Sequence, residues 1–135
     1  MSTLAGSTSR TKARRKAFEI VFEAQQRGLE IASLVGQRPL PEYSKQLLQG
    51  VAANHEAIGE WLDTYSERWP TDKMASVDKA ALFLGTYEVV LEDDVPDQVI
   101  IKDMADLVGE LSTDKSPDFV SGILGRMAGI KDSLR

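Results

Sequence analysis

From Lys12 onward the apolar residues recur at three- and four-residue spacings. Ala17, Phe18, Val21, Phe22 and Ala24 lie on one stripe, which predicts an amphipathic helix ended by Gly28. Leu29 to Val35 predicts a helix of two turns at most, before Gly36 and the Pro39-Leu40-Pro41 break. Pro41 suits the first turn of the next helix, whose buried face is Tyr43, Leu47, Leu48 and Val51. Ile58, Trp61, Leu62 and Tyr65 continue the period as a separate helix capped by Asn54 and stopped at Trp69-Pro70. Val77, Ala80, Ala81, Leu84, Tyr87 and Leu91 trace a further stripe, ending in the acidic run Glu92-Asp93-Asp94. Asp97 then caps a helix carrying Ile100 or Ile101, Met104, Leu107 or Val108, and Leu111. Ser116 as cap and Pro117 at the first helical position open the last one, with Phe119, Val120, Ile123, Leu124 and Met127 as its stripe until Gly129.

No segment alternates with the two-residue period of a strand, and all five prolines fall at helix starts or in joints. The pattern therefore predicts an all-α bundle. With 135 residues the chain fits a single domain, and 42 % hydrophobic with 27 % charged residues is ordinary globular composition. Residues 1–11, rich in Ser, Thr and Gly, read as a flexible N-terminal arm, and 12–135 as one helical domain. No apolar run approaches the roughly 20 residues that span a bilayer, and the N-terminal segment lacks the apolar stretch of a secretory signal. The expected location is cytoplasmic, without membrane contact.

Charge changes the picture at one place. The net charge is -5, yet the first five charged residues, Arg10, Lys12, Arg14, Arg15 and Lys16, are all basic, and all 21 acidic residues lie at Glu19 or beyond. A local basic cluster can hold phosphate on an acidic protein, because attraction is screened over about 10 Å at ordinary salt. Charge alone equally fits a solvated helix start.

Little else suggests chemistry. There is no cysteine, and the only histidine, His55, has no partner at metal-ligand spacing. Neither a Gly-x-Ser-x-Gly elbow nor a phosphate-cradling Gly-rich loop is present, so no catalysis, metal or cofactor is expected. The acids at 92–94 lack calcium-loop spacing. Trp61, Tyr65 and Trp69 could stack on bases, but their helical spacing favours the core. Gly122 inside a helix costs about 1 kcal/mol relative to alanine. Close packing or ligand access to the backbone would offset that cost.

Four segments, in order, resemble the NusB family. They are Ala13-Arg14-Arg15-Lys16-Ala17 leading into Ile20-Val21-Phe22, Val77-Asp78-Lys79-Ala80-Ala81-Leu82 running to Tyr87-Glu88, Asp94-Val95-Pro96, and Phe119-Val120-Ser121-Gly122-Ile123-Leu124. The stretch Glu110 to Pro117 is similar to actinobacterial members in particular. The resemblance covers about residues 12–130. It implies seven helices in two packed subdomains and a non-enzymatic transcription antitermination factor. Such a factor binds boxA-type single-stranded RNA of nascent ribosomal RNA together with NusE, a small-subunit ribosomal protein, and helps RNA polymerase read through terminators. Carried over residue by residue, the resemblance implies RNA contacts at Arg10, Lys12, Arg14, Arg15, Lys16, Phe119, Ser121 and Gly122. It likewise implies NusE contacts at Phe22, Asp78 and Lys79. By spacing alone, Phe22 and Phe119 are also core positions.

Three residues depart from the family pattern. Ser121 stands where Asn is usual and loses an amide that could pair with a base edge. Phe83 replaces a common Arg, removing a guanidinium that would pair with Glu88 or Asp103, and Lys102, in place of Asn, is the candidate substitute charge. Two alternatives stay open: a NusB-like module that keeps protein binding without RNA recognition, and a detached accessory domain of an RNA-modifying enzyme. The resemblance also leaves monomer and homodimer undecided.

Overall fold

In a computed structural model, which describes residues 2–66 and 68–135 and, for residues 2–8, the backbone only, the chain forms seven α-helices and one short 3-10 turn. The helices are α1 (Ser2–Arg27), α2 (Ile31–Val35), α3 (Glu42–Ala53), α4 (His55–Tyr65), α5 (Ser76–Leu91), α6 (Asp97–Leu111) and α7 (Ser116–Leu134). No strand occurs among the described residues. The arm expected over 1–11 falls, for residues 1–8, outside the fully described part; Ser9, Arg10 and Thr11 already belong to α1.

Helices α1, α2 and α3 pack together as one group and α5, α6 and α7 as the other, with α4 against α5. The two groups meet where α5 lies against α1 and α3. Every residue of α5 from Ala80 to Val90 is buried. The stripe read from the sequence was too narrow here: Leu82, Phe83, Val89 and Val90 face neighbours on the remaining sides, as expected of a helix enclosed all round.

Gly28 ends α1 as expected. It adopts the left-handed conformation (φ +63°), its N–H donates to Gln25 O (3.4 Å), and the Leu29 N–H donates to Ala24 O (2.9 Å), so two carbonyls that the helix leaves unpaired are satisfied. The expected side-chain caps do not form. Asn54 donates its side-chain amide back to Gly50 O (2.8 Å), Ser116 turns its hydroxyl to Asp78, and Asp97 receives Lys131 (3.0 Å) from α7. Each side chain found a stronger or nearer partner than the backbone donors of its own helix. Helix α7 also runs past Gly129 to Leu134.

Two glycines on packed faces admit close approach. A Cβ at Gly50 on α3 would overlap the phenol end of Tyr87 of α5, and one at Gly85 would meet Leu124 Cδ1 at 2.8 Å. Tyr87 cannot swing away freely, since its hydroxyl donates to Glu92, which also accepts from Gln46 (2.8 Å) on α3. Gly50→Ala should therefore lower unfolding free energy by about 1–3 kcal/mol. Gly125→Ala, at an open helical position, should instead raise it by up to about 1 kcal/mol. Urea denaturation of both variants checks the opposite signs.

Candidate nucleic-acid interface

The five basic residues from Arg10 to Lys16 of α1 do not share one environment. Lys12 and Lys16 lie one turn apart, about 6 Å along the axis, and both are exposed with no acidic partner among the described residues. Arg10 is exposed, its guanidinium 4.7 Å above the Tyr43 ring of α3. Arg15 sits on the flank facing α6, in an exposed ion pair with Glu110.

Arg14 is different and corrects the expectation that it contacts RNA phosphate. Its side chain is 1 % exposed and grips Glu88 of α5 with two parallel bonds, Nε to Oε1 (2.7 Å) and Nη2 to Oε2 (2.6 Å). Its Nη1 donates to Asp103 of α6, which also accepts the Thr11 hydroxyl (3.0 Å). Tyr43 donates its hydroxyl to Glu88 Oε2 (2.6 Å). Burial opposes the Arg14 charge, but the bonds and charges of Glu88 and Asp103 outweigh it and hold its pKa above the ordinary arginine value. Burial, then the bond to Glu88, pushes the Tyr43 phenol up as well. Sequence spacing hid this residue because its neighbours in the run are solvated.

The same network overturns the expected role of Lys102. That side chain is 75 % exposed and pairs with Asp106 (2.8 Å) on its own helix, leaving Glu88 and Asp103 to Arg14. Phe83 is buried and stacks on His55, with ring centroids 4.4 Å apart at 21°. Burial and then the nearby Lys79 charge hold the His55 pKa below the usual histidine value.

Phe119 is half-buried in a separate cleft of about 440 Å³ between the start of α5 and the start of α7. Trp69, Lys73, Met74, Asp78 and Lys115 line it too, and none of the α1 cations does. Trp69, expected in the core, is 54 % exposed. Ser121 is half-buried on α7 and Gly122 is exposed, with open space where a Cβ would lie. Close packing therefore does not explain Gly122, which leaves its backbone accessible.

The three residues expected to meet a protein partner are also divided. Phe22 is half-buried and stacks on Phe18 at 6.0 Å. Asp78 is buried, accepting the Ser116 hydroxyl (3.0 Å) through Oδ2, while its Oδ1 has no partner. Lys79 lines another cleft, of about 330 Å³, with His55 and Gln25. Gln25 donates to Ser76 O (3.1 Å), tying the end of α1 to the start of α5. Sequence reasoning missed Lys73, Lys115 and Glu110. Single charges in loops or on polar helix faces carry no pattern that would mark them.

Among the described residues no group of acids or histidine could hold a metal ion, and no helix is long and apolar enough to cross a membrane.

The model of the NusB family matches residues 11–129. A curated relative from Kineococcus radiotolerans, transcription antitermination protein NusB, is 42 % identical over 132 residues, covering 93 % of this chain and 97 % of the relative. The solved structure of T. maritima NusB superposes with a TM-score of 0.78 at 26 % identity, covering 89 % of this chain and 90 % of that one. A crystal structure of antitermination factors NusB and NusE in complex with dsRNA shares the fold, with a TM-score of 0.77 at 23 % identity and coverage of 89 % and 96 %.

Replacing Arg14 by alanine would strand a buried carboxylate, so Arg14→Ala should cost about 3–5 kcal/mol of stability. Lys16→Ala and Lys102→Ala, both at exposed side chains, should each stay within about 0.5 kcal/mol. Chemical denaturation of the three variants distinguishes them; an Arg14→Ala change as mild as the others would refute the structural role.

Proposed function

The chain belongs to the NusB family, and from that premise we propose that it is a transcription antitermination factor of the cytoplasm. It holds boxA-type single-stranded RNA of nascent ribosomal RNA together with NusE, helps RNA polymerase read through terminators, and catalyses no reaction. The observation that carries this reading is the set of solvated cations near the start of α1, Lys12 and Lys16 on one face and Arg10 on the side toward Tyr43, in a protein whose net charge is -5. Lysine and arginine there can donate to phosphate oxygens. The half-buried Phe119 and the exposed Trp69 offer ring faces to an unpaired base, with Lys73 and Lys115 beside them for its phosphates. The bare backbone at Gly122, one turn along α7 from Phe119, supplies a further polar contact, and Ser121 beside it adds a hydroxyl. NusE is assigned to the surface around Phe22 and Lys79, where the end of α1 joins the start of α5; Asp78, expected there too, is instead buried against Ser116 and positions the start of α5.

Arg14 takes no part in phosphate contact under this reading; it holds the helix that presents the others. Fluorescence anisotropy with a labelled boxA-type RNA, with and without NusE, tests the assignment. Five phosphate contacts on single-stranded RNA, at Arg10, Lys12, Lys16, Lys73 and Lys115, should give a log-log salt slope of about -3.5. NusE should tighten the complex, and RNA should tighten NusE by the same factor. Lys12→Ala combined with Lys16→Ala should weaken RNA binding while leaving the urea midpoint nearly unchanged. Absence of RNA binding under every condition would remove the RNA role and leave a helical protein-binding module.

A further inference from the structure

Resting on the RNA reading above, we infer that Glu110 sets the RNA affinity of this protein by competing with phosphate for Arg15. The groove between α1 and α6 is lined by Thr11, Arg14, Arg15, Asp103, Asp106 and Glu110. Asp103 is committed to Arg14 and Thr11, and Asp106 to Lys102. Glu110 is the acid that reaches a cation of the exposed basic run, and it holds the Arg15 guanidinium directly.

The geometry is that of an internal phosphate mimic. Both partners are exposed, at 42 % for Arg15 and 59 % for Glu110, so solvent and RNA can reach the contact. An ion pair in such surroundings is weak and exchangeable. Arg15 is therefore withheld from RNA but not removed from it, in contrast to Arg14. Lys12 and Lys16, with no acid on them among the described residues, carry the first contact, and Arg15 joins only when phosphate displaces the carboxylate. Glu110 thus lowers affinity for RNA in general and reserves tight binding for an RNA placed well enough to displace it.

The test uses the intact protein and a fluorescein-labelled single-stranded boxA-type RNA, titrated at several salt concentrations. Glu110→Gln should tighten binding by up to about fivefold at low salt, the range of an exposed ion pair. It should also steepen the log-log salt slope by about 0.7, the contribution of one further phosphate contact on a single strand. Both gains should vanish in Glu110→Gln combined with Arg15→Ala. Glu60→Gln on α4, an exposed acid without an ion pair among the described residues, controls for net charge. An effect of Glu110→Gln equal to that of Glu60→Gln, or one that survives Arg15→Ala, would overturn the inference while leaving RNA binding intact. Failure of every variant, wild type included, to bind the RNA at any salt would overturn the RNA reading and this inference with it.

Discussion

Arg14 and Glu88 meet across the contact of α1 with α5, and both carboxylate oxygens are engaged by the guanidinium fork. Moving either charge out of water costs several kcal/mol, so the pair persists only because its remaining donors and acceptors are filled. Asp103 takes the third guanidinium nitrogen from α6, and Tyr43 supplies a hydroxyl to Glu88 from α3. Four helices are thereby fixed by one polar centre with a planar, directional geometry. Buried apolar residues of α1 such as Ala17 and Val21, and the packing of α1 on the enclosed α5, provide bulk stabilisation but tolerate sliding. The bidentate pair does not tolerate it. Ser44 reinforces the arrangement by donating its hydroxyl to Ala13 O (2.7 Å), so α3 is tied to the backbone of α1 one residue before Arg14.

This centre explains how α1 can serve two ends. Successive residues on a helix are turned by about 100°, so a run of basic residues cannot remain on one face. Arg14 points into the bundle, Arg15 toward α6, and Lys12 and Lys16 toward solvent. A single cationic run thus supplies an internal clamp, a guarded flank and an open face. The clamp restrains the rotation of α1 about its axis, and that restraint determines which cations reach solvent.

Much of the fold was legible because it rests on apolar spacing, which survives without knowledge of neighbours. Most of the α3, α6 and α7 stripes is buried, including Leu47, Leu48, Val51, Met104, Val120, Leu124 and Met127, while Leu111 at the end of α6 is exposed, and Gly28 stops α1 by a conformation that glycine adopts without strain. What was not legible depends on which element lies opposite. The enclosure of α5, the burial of Arg14, and the diversion of Ser116 to Asp78 are all decided by partners 38 to 89 positions away in the chain. Trp69 illustrates the same limit from the other side: its spacing suits a core, but it lies past the end of α4, where no helix covers it. The candidate site was half legible for a related reason. Composition marks a basic run, and only packing sorts its members into solvated and spent.

The acidic body completes the argument about binding. With all 21 acidic side chains at Glu19 or beyond, the body of the protein disfavours a polyanion, and attraction is concentrated within about a screening length of the cations at the start of α1 and of Lys73 and Lys115 at the Phe119 cleft. A nucleic acid gains from a few contacts there and loses by lying elsewhere. Such a site favours a short segment held at one end over a coat along a duplex. Because a few phosphate contacts supply only modest affinity at physiological salt, a second ligand that binds the same folded unit has room to contribute. The start of α5 provides the physical route for that contribution, since it is tied to α1 through Gln25 and to α7 through Asp78 and Ser116. A protein seated on this junction touches both helices that carry candidate RNA contacts, so restraining either helix restrains the face presented to RNA, and the coupling must act equally in both directions.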